Sequence, residues 1–498
     1  MKILLVIHNL GYADHIALAY LSAIARQSNH SVFFCSLDSS DLSNTVREIK
    51  PDVVGYSVNI FGYRKIVEAH RQAKKIHNFV SIMGGPHPTF SPETFPESGM
   101  DAYCLGEGEY AFRDFLARVE RGEPFDDVEN LVTHNARNPV RPLIRNLDEL
   151  PPSDRDLVLG NSYLKHTPKK TFYATRGCPF KCAYCCNNYY HELYKGKGPI
   201  VRRFSVERII REIEDVKKKY TMDFVKFGDD LFAIKADDWL KEFAEKYSKR
   251  IKVPFNCYLR FDTVTDDLLK LLKKAGCFSV HLSLDSTSEY VREKILLRQM
   301  RKVDVVDKLR KIRGYGINTW VNYMLAVPGS SLQDDLDTIA LSKKAKVTYP
   351  SYSTTVPMNG TALYSYCVER GYIDAASYTG DMTGCSEKST LLCFTEKEKN
   401  IRYNIYLLGA LIAKLPRPFD KMAVWLIKII PPNRLFQRVR ANLYNYYISN
   451  KIFKFPKRGK QARSVSEKES EVLSQLPSMA ALDSVVSTSV RADETIEA

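Results

Sequence analysis

Cys178-Pro179-Phe180-Lys181-Cys182-Ala183-Tyr184-Cys185 places three cysteines within one short loop, spaced four and then three apart. The loop follows an extended run, Thr171-Phe172-Tyr173-Ala174-Thr175, and then Arg176-Gly177. Thiolates packed this closely can cap three corners of one metal cluster. Three ligands on a four-iron cluster leave one iron open for a substrate or cofactor. The competing reading is structural zinc, which takes four ligands in a closed tetrahedron. Cys186 could supply the fourth only from a strained backbone, and no second Cys-x-x-Cys pair lies nearby.

Downstream of the loop the chain alternates between helical and extended periodicity. Helices are expected over Val206–Tyr220, Asp237–Tyr247, Asp266–Ala275, Val303–Tyr315 and Leu332–Ala345. Strands are expected over Phe224–Gly228, Phe255–Leu259, Ser279–Leu284 and Asn318–Ala326, with a last one near Val347–Ser353. About six β/α units suit an open parallel barrel, whose chemistry gathers at the carboxyl ends of the strands. The cysteine loop, Asp229-Asp230, Asp285-Ser286 and Val327-Pro328-Gly329 all fall at such ends.

Upstream, the pattern is also strand and helix in turn. Strands are expected at Lys2–Ile7, Ser31–Cys35, Asp52–Ser57, Val80–Met83 and Ala102–Leu105, with helices through Ile16–Arg26 and Lys65–Ile76. This predicts an α/β, doubly wound parallel sheet of the Rossmann-like or flavodoxin-like kind. Ligands of such sheets lie beyond the carboxyl ends of the strands. Ser57, Gly84-Gly85 and Gly106-Glu107-Gly108-Glu109 fall there, and glycines at that edge let backbone approach a large ligand. Pro139, Pro142, Pro151 and Pro152 then punctuate an ordered connector.

At 498 residues the chain is long for one ordinary domain. Hydrophobic content of 44% and aromatic content of 11% suit a packed globular protein. The opening apolar run is too short for a secretory signal, and no stretch is long and apolar enough for a spanning helix. Eleven cysteines without such a signal point to a reducing, cytoplasmic setting, where clustered cysteines bind metal or do chemistry.

Residues 1–125 resemble the cobalamin-binding domain found at the N-terminus of many radical S-adenosylmethionine (SAM) enzymes. The resemblance rests on the opening strand, the Val54-Gly55-Tyr56-Ser57 strand end, Gly84-Gly85-Pro86-His87-Pro88 and Gly106-Glu107-Gly108-Glu109. It implies cobalamin contacts from Ser57, Gly84, Gly85, Pro86, His87, Gly106, Glu107 and Gly108. One variant of the family carries Asp-x-His-x-x-Gly, whose histidine ligates cobalt; here His8-Asn9-Leu10-Gly11 is present, but Val6 stands at the aspartate position. The cysteine loop and the β/α run after it resemble the radical SAM superfamily, with its CxxxCxxC pattern and an aromatic, Tyr184, before the last cysteine. By that resemblance Cys178, Cys182 and Cys185 hold a [4Fe–4S] cluster whose open iron takes SAM. Tyr184 would pack near the adenine, Asp229 near the SAM amine or the substrate, Asp285 and Ser286 near the ribose, and Arg298 at the carboxylate. Pro328 and Gly329 would form the backbone turn beside the adenine.

The resemblance implies a cobalamin-dependent radical SAM enzyme that cleaves SAM to a 5′-deoxyadenosyl radical. Its commonest reaction methylates an unactivated carbon of a small-molecule or lipid substrate from methylcobalamin. The alternatives are a cyclisation or rearrangement without methyl transfer and, outside enzymes, a cobalamin or redox sensor. An external low-potential electron donor of flavodoxin or ferredoxin type is implied. The division expected is a cobalamin-binding domain over 1–130, a linker over 131–165, a radical SAM core over 166–385, a basic helical region over 386–460 and a disordered tail over 461–498.

Much of the net charge of +15 lies near the C-terminus. Residues 396–463 carry sixteen Lys/Arg and three Asp/Glu, 16 − 3 = +13, whereas 464–498 carry two and seven, or −5. Two roles are expected for the basic helices: covering the barrel mouth, or peripheral contact of 396–463 with an anionic membrane surface. No nucleic-acid-binding fold signature accompanies the charge, so no nucleic acid is expected.

Overall fold

The structure, a computed structural model, describes residues 1–11, 14–300, 302–374 and 385–455. The tail expected at 461–498 lies outside the described residues. Residues 1–454 form one compact unit.

The N-terminal sheet has strands β1 (Lys2–Ile7), β2 (Ser31–Ser36), β3 (Val53–Ser57), β4 (Val80–Gly84), β5 (Ala102–Cys104) and β6 (Leu131–Val132), in the order β2-β1-β3-β4-β5-β6. All pairs are parallel except β5 with β6. Five of the six residues of β1 are buried. Helices cover both faces of such a sheet, so its central strands read as unbroken apolar runs.

The second sheet is built from β7 (Lys169–Phe172), then β10 (Phe224–Phe227), β11 (Phe255–Leu259), β12 (Cys277–Asp285), β13 (Asn318–Leu325) and β14 (Tyr349–Thr354), all parallel and in chain order. It is the expected open barrel. Two short strands, β8 (Thr175–Arg176) and β9 (Arg202–Arg203), pair antiparallel around the cysteine loop. Side-chain caps set several helix starts: Ser205 accepts from Arg208 N, Thr265 from Leu268 N, and Ser331 forms a capping box with Asp334.

The two sheets share one core. Ile3, Phe112, Leu147, Leu157, Phe172 and Phe204 belong to the same buried cluster. The connector is therefore packed rather than loose. Arg155 donates to Asp14 at 2.7 Å and lies 3.6 Å from Glu212, joining both halves of the fold. Its side chain is 5% exposed and that of Asp14 2%, so losing either partner would leave a buried, uncompensated charge.

The basic C-terminal region runs from the cysteine-loop end of the barrel, where Arg402 donates to Ser330 O at 3.3 Å, to the opposite end. Helix Glu396–Ile412 packs along β14 and is anchored by a buried pair, Arg402 to Asp335 at 2.6 Å. The turn Ile448–Ile452 reaches the opposite end, where Ser279 Oγ donates to Ile452 O at 2.6 Å and the Phe453 ring lies 5.2 Å from Phe224. Residues at the start of the barrel strands thus meet the chain's last described turn. Helix Ala362–Glu369, with Leu391 and Phe394, flanks the cysteine loop. No described helix is long and apolar enough to cross a membrane.

Candidate active site

The cysteine loop is positioned from both ends. Gly177 adopts φ +80°, and a Cβ there would sit 2.3 Å from Ile200 O, so only glycine fits where the loop leaves β8. At the other end Cys185 precedes helix Cys186–Leu193. Between them Ala183 N donates to Leu296 O at 2.8 Å, and Leu363 N donates to Ala183 O at 2.9 Å. His191 Nε2 donates to Cys178 O at 2.8 Å.

The thiols differ in surroundings. Cys182 is 6% exposed and faces two guanidiniums: Arg260 Nη1 at 3.8 Å and Arg298 Nη1 at 3.9 Å. Arg260 also lies over the Phe180 ring at 3.5 Å and pairs with Asp262 at 2.9 Å. Asn187 Nδ2 approaches Cys185 Sγ at 3.6 Å. Burial pushes the Cys178 thiol up to about 11 and raises that of Cys182, against the pull of Arg298 and Arg260. Iron ligation needs thiolates, so cluster assembly here releases protons. Among the described residues no three His, Cys, Asp or Glu side chains converge as the ligands of a single ion. A four-iron cluster instead asks for thiolates around a wider body, one to an iron. Three thiols on one loop, with cations facing the most buried of them, fit that group.

Tyr184, Asp285 and Arg298 meet beside the loop. Tyr184 OH donates to Asp285 Oδ2 at 2.7 Å, and Arg298 Nη1 donates to Tyr184 OH at 2.8 Å. Arg298 Nε lies 3.0 Å from Asp285 Oδ2. The resemblance places the three residues at different parts of SAM; the fold joins them into one buried network. Asp285 holds φ +69°, a conformation uncommon outside glycine, at a register shift between β12 and β13. The Val327–Gly329 turn adjoins them, with Val327, Ala183 and Ile295 in one apolar cluster and Gly329 at φ +83°. Ser286 is buried and caps Ser288 N at 3.2 Å.

Asp229 is 1% exposed; Oδ1 accepts from Thr175 N at 2.5 Å and from Thr175 Oγ1 at 2.8 Å, while Oδ2 has no hydrogen-bond partner among the described residues. Its neighbour Asp230 turns into the cavity described below. Burial pushes the Asp229 carboxyl from 3.8 up to about 7, despite the Thr175 donors. A folded value above the unfolded one means that the folded protein holds the proton more tightly. The contribution is fully present below the unfolded value and is lost as pH rises through about 7. Asp229→Asn keeps an acceptor for Thr175 and removes the titration. Relative to wild type, the variant is expected to gain a few kcal/mol of stability between about pH 5 and about pH 8. Denaturant midpoints of both proteins at the two pH values check this, and a pH-independent difference excludes it.

A cavity of ≈ 480 Å³ lies between the carboxyl edge of the N-terminal sheet and the barrel. That volume is in the range of small-molecule clefts. One wall is Gly55, Ser57, Gly84, Gly85, Gly106, Glu107 and Gly108. The facing wall is Thr175, Arg176 and Gly177 before the cysteine loop, Cys186 and Asn187 after it, and Asp230. Gly85 adopts φ +106°, ψ −167°, and a Cβ there would lie 2.8 Å from Val58 O. Bare backbone at three strand ends, with an apolar lining above it, is a cradle for a large flat ligand such as cobalamin.

Six of the eight residues expected to touch cobalamin line this cavity: Ser57, Gly84, Gly85, Gly106, Glu107 and Gly108. Pro86 and His87 do not. The bend at Gly85 starts a short helix, Pro86–Phe90, that carries them away. The His87 ring stacks on Tyr63 at 3.8 Å and shares a hydrogen bond of 3.2 Å with Thr94 Oγ1. Burial lowers its pKa to about 4, so the ring is neutral. His8 is also off the cavity, its ring lying where a Gly62 Cβ would be, within 2.4 Å.

Glu107 has a second task. Its carboxylate meets Arg202 at 2.8 Å and Arg176 at 3.2 Å, and Arg176 also meets Glu109 at 2.5 Å. Burial alone would raise the Glu107 carboxyl, but Arg202 and Arg176 outweigh it and hold it below its ordinary value. This ties the Gly106–Glu109 turn to the residue two places before Cys178. No motif in the sequence marks Arg260, Arg202 or the Arg176 pairing as part of the site. An arginine closing a barrel strand, as in Cys257-Tyr258-Leu259-Arg260, was the one available signal.

A radical SAM superfamily model matches residues 172–341, and a B12 binding domain model matches residues 3–116. An uncharacterized methyltransferase of Pyrococcus horikoshii is 28% identical over 371 residues, 71% of this chain and 78% of that one. An anaerobic magnesium-protoporphyrin IX monomethyl ester cyclase of Rubrivivax gelatinosus is 27% identical over 296 residues, 55% of this chain and 52% of that one. Among solved structures, the cobalamin-dependent S-adenosylmethionine radical enzyme OxsB with aqua-cobalamin bound superposes with a TM-score of 0.67. The two share 17% identity over 90% of this chain and 75% of the other.

Proposed function

Because the chain belongs to the radical SAM enzymes that carry a cobalamin-binding domain, we propose that it methylates an unactivated carbon of a small-molecule or lipid substrate. A [4Fe–4S] cluster, SAM and cobalamin are the cofactors of this family. When bound, the cluster and SAM supply a hydrogen-abstracting radical, and cobalamin supplies a transferable methyl group.

In this reading Cys178, Cys182 and Cys185 hold the cluster, and Arg260 and Arg298 offset the charge of the Cys182 thiolate. Tyr184, Asp285, Arg298 and the Pro328-Gly329 backbone flank SAM, with Asp229 beyond Thr175. Ser57, Gly84, Gly85 and Gly106–Gly108 form the cobalamin wall. Asp230 and Asn187, on the opposite wall, offer polar groups to orient a substrate. The domains remain as read from the sequence, 1–130 for cobalamin and 166–385 for the radical SAM core. An external flavodoxin- or ferredoxin-type protein delivers the electron. The supporting observation is that one cavity is walled by the glycine strand ends on one side and by both flanks of the cysteine loop on the other. That cavity would bring a substrate carbon between the residues that would hold the two cofactors.

Turnover with SAM carrying a labelled methyl group, over a panel of natural-product and lipid precursors, tests this. Label in the product, together with 5′-deoxyadenosine, is the expected result. The cyclase relative motivates a second reading, ring formation or rearrangement with both cofactors in place. Unlabelled, altered product alongside 5′-deoxyadenosine would select it, and cofactor binding without any SAM cleavage would leave the sensor.

A further inference from the structure

We propose that helix Phe419–Ile429, with the start of helix Arg434–Tyr447, is a docking face for an anionic lipid surface. The inference is independent of the reaction catalysed. Eight of the eleven residues in Phe419-Asp-Lys-Met-Ala-Val-Trp-Leu-Ile-Lys-Ile429 are apolar, yet Ile427 is the sole buried one. Phe419, Met422, Trp425 and Ile429 are 53%, 53%, 58% and 56% exposed, and Leu435 is 65% exposed. Their spacing of three or four puts the first four along one side of the helix. Helix Arg434–Tyr447 has no buried residue at all. A helix with this many apolar side chains normally spends them on the core. Here Ile427 is buried and Ala423 and Val424 pack partly against the core, while Phe419, Met422, Trp425 and Ile429 are left as an apolar patch facing outward.

The charges around the patch say what covers it. Lys421, Lys428, Arg434 and Arg438 lie on the same two helices, and none of them forms an ion pair among the described residues. The one acid in residues 413–455 is Asp420, and it is taken by Lys343. Elsewhere surface cations are matched, as with Arg250 on Glu214 at 2.7 Å and Lys249 on Glu245 at 2.7 Å. Apolar side chains including a tryptophan, rimmed by unmatched lysine and arginine, fit the interface of a bilayer with anionic headgroups. The long cationic stems can reach the headgroups while the apolar face sinks between them. A second copy of the chain fits poorly, since a two-fold contact would set these cations against one another.

The test is co-sedimentation of the full chain, loaded with iron and cobalamin, with vesicles of phosphatidylcholine alone or mixed with phosphatidylglycerol. Binding to the mixed vesicles only, weakening as salt is raised, is expected. Lys421→Glu with Lys428→Glu should lower the vesicle-bound to free ratio about tenfold or more, and so should Trp425→Glu. Thermal melting checks each variant's fold. Met422→Ser with Ile429→Ser, which adds no charge, serves if a glutamate unfolds the helix. Absence of binding to the mixed vesicles at low salt overturns the proposal. So does binding that ignores vesicle charge or survives all these variants. Self-association abolished by Trp425→Glu, without vesicle binding, would assign the face to a second copy instead.

Discussion

Cys182→Ala is expected to remove the iron–sulfur cluster and, with it, SAM cleavage. Wild-type protein reconstituted without oxygen should carry about four irons per chain. The variant should carry few or none, and 5′-deoxyadenosine formation should fall by at least about a hundredfold. Even residues that only support metal ligands act on that scale. Cys182 is the informative choice among the three thiols because its surroundings are built for an anion. It is buried, and the guanidiniums of Arg260 and Arg298 point at its sulfur from 3.8 and 3.9 Å. With the thiolate gone, both cations face an alanine, and nothing nearby replaces the ligand. Cys186→Ala is the matched control: its thiol lines the cavity rather than completing the motif, so iron should stay at the wild-type level. Full iron in Cys182→Ala would end the ligand assignment.

Gly85→Ala should strip cobalamin from a protein that still holds its iron. The backbone at Gly85, φ +106° and ψ −167°, is essentially closed to residues with a Cβ, at a cost of about 1–3 kcal/mol. The added methyl would also sit 2.8 Å from Val58 O and 3.1 Å from Val58 N. These are backbone atoms of the neighbouring strand end, and they cannot swing aside as a side chain could. The turn must therefore rebuild where it forms the cavity wall. A loss of 1.4 kcal/mol is tenfold in affinity, so cobalamin per chain after gel filtration should drop by about tenfold or more. Iron measured on the same sample separates the outcomes. Parallel loss of both cofactors would mean that the fold failed. Full cobalamin with unchanged iron would remove Gly85 from the cobalamin wall.

The local pattern was legible in detail. The strand Phe255–Leu259 and the helix Asp266–Ala275 have the bounds that periodicity predicts, and Lys2–Ile7 is the opening strand. Burial of alternate or unbroken apolar runs is written into adjacent residues, so a single segment suffices to read it. The cysteine loop was equally plain, because its three thiols are neighbours in the chain. The Ser331–Asp334 cap could be read for the same reason.

Contacts between distant segments were not. The arginines on Cys182 come from the end of β11 and from residue 298, and no spacing in the sequence links them to the loop. Asp285 and Arg298 were assigned separate parts of SAM, whereas the fold pairs them through Tyr184. Pro86 and His87 share a motif with Gly84-Gly85, yet one bend at Gly85 sends them off the cavity. The basic C-terminal helices read foremost as a cover for the mouth. The structure runs them from Ser330, beside the turn after β13, along β14 to the strand starts.

By itself, then, the sequence determined two α/β layers, the order of their strands and helices, and the loop on which three thiols converge. Those follow from short-range periodicity and from residues bonded in series. Tertiary structure alone decided that the glycine edge of one sheet faces the cysteine loop of the other across a single cavity. The reason is physical: that arrangement depends on one shared core and on the Glu107 grip of Arg176 and Arg202, which join residues far apart in the chain. The same packing turned Trp425 and its neighbours outward, where their hydrophobicity serves a surface rather than the core.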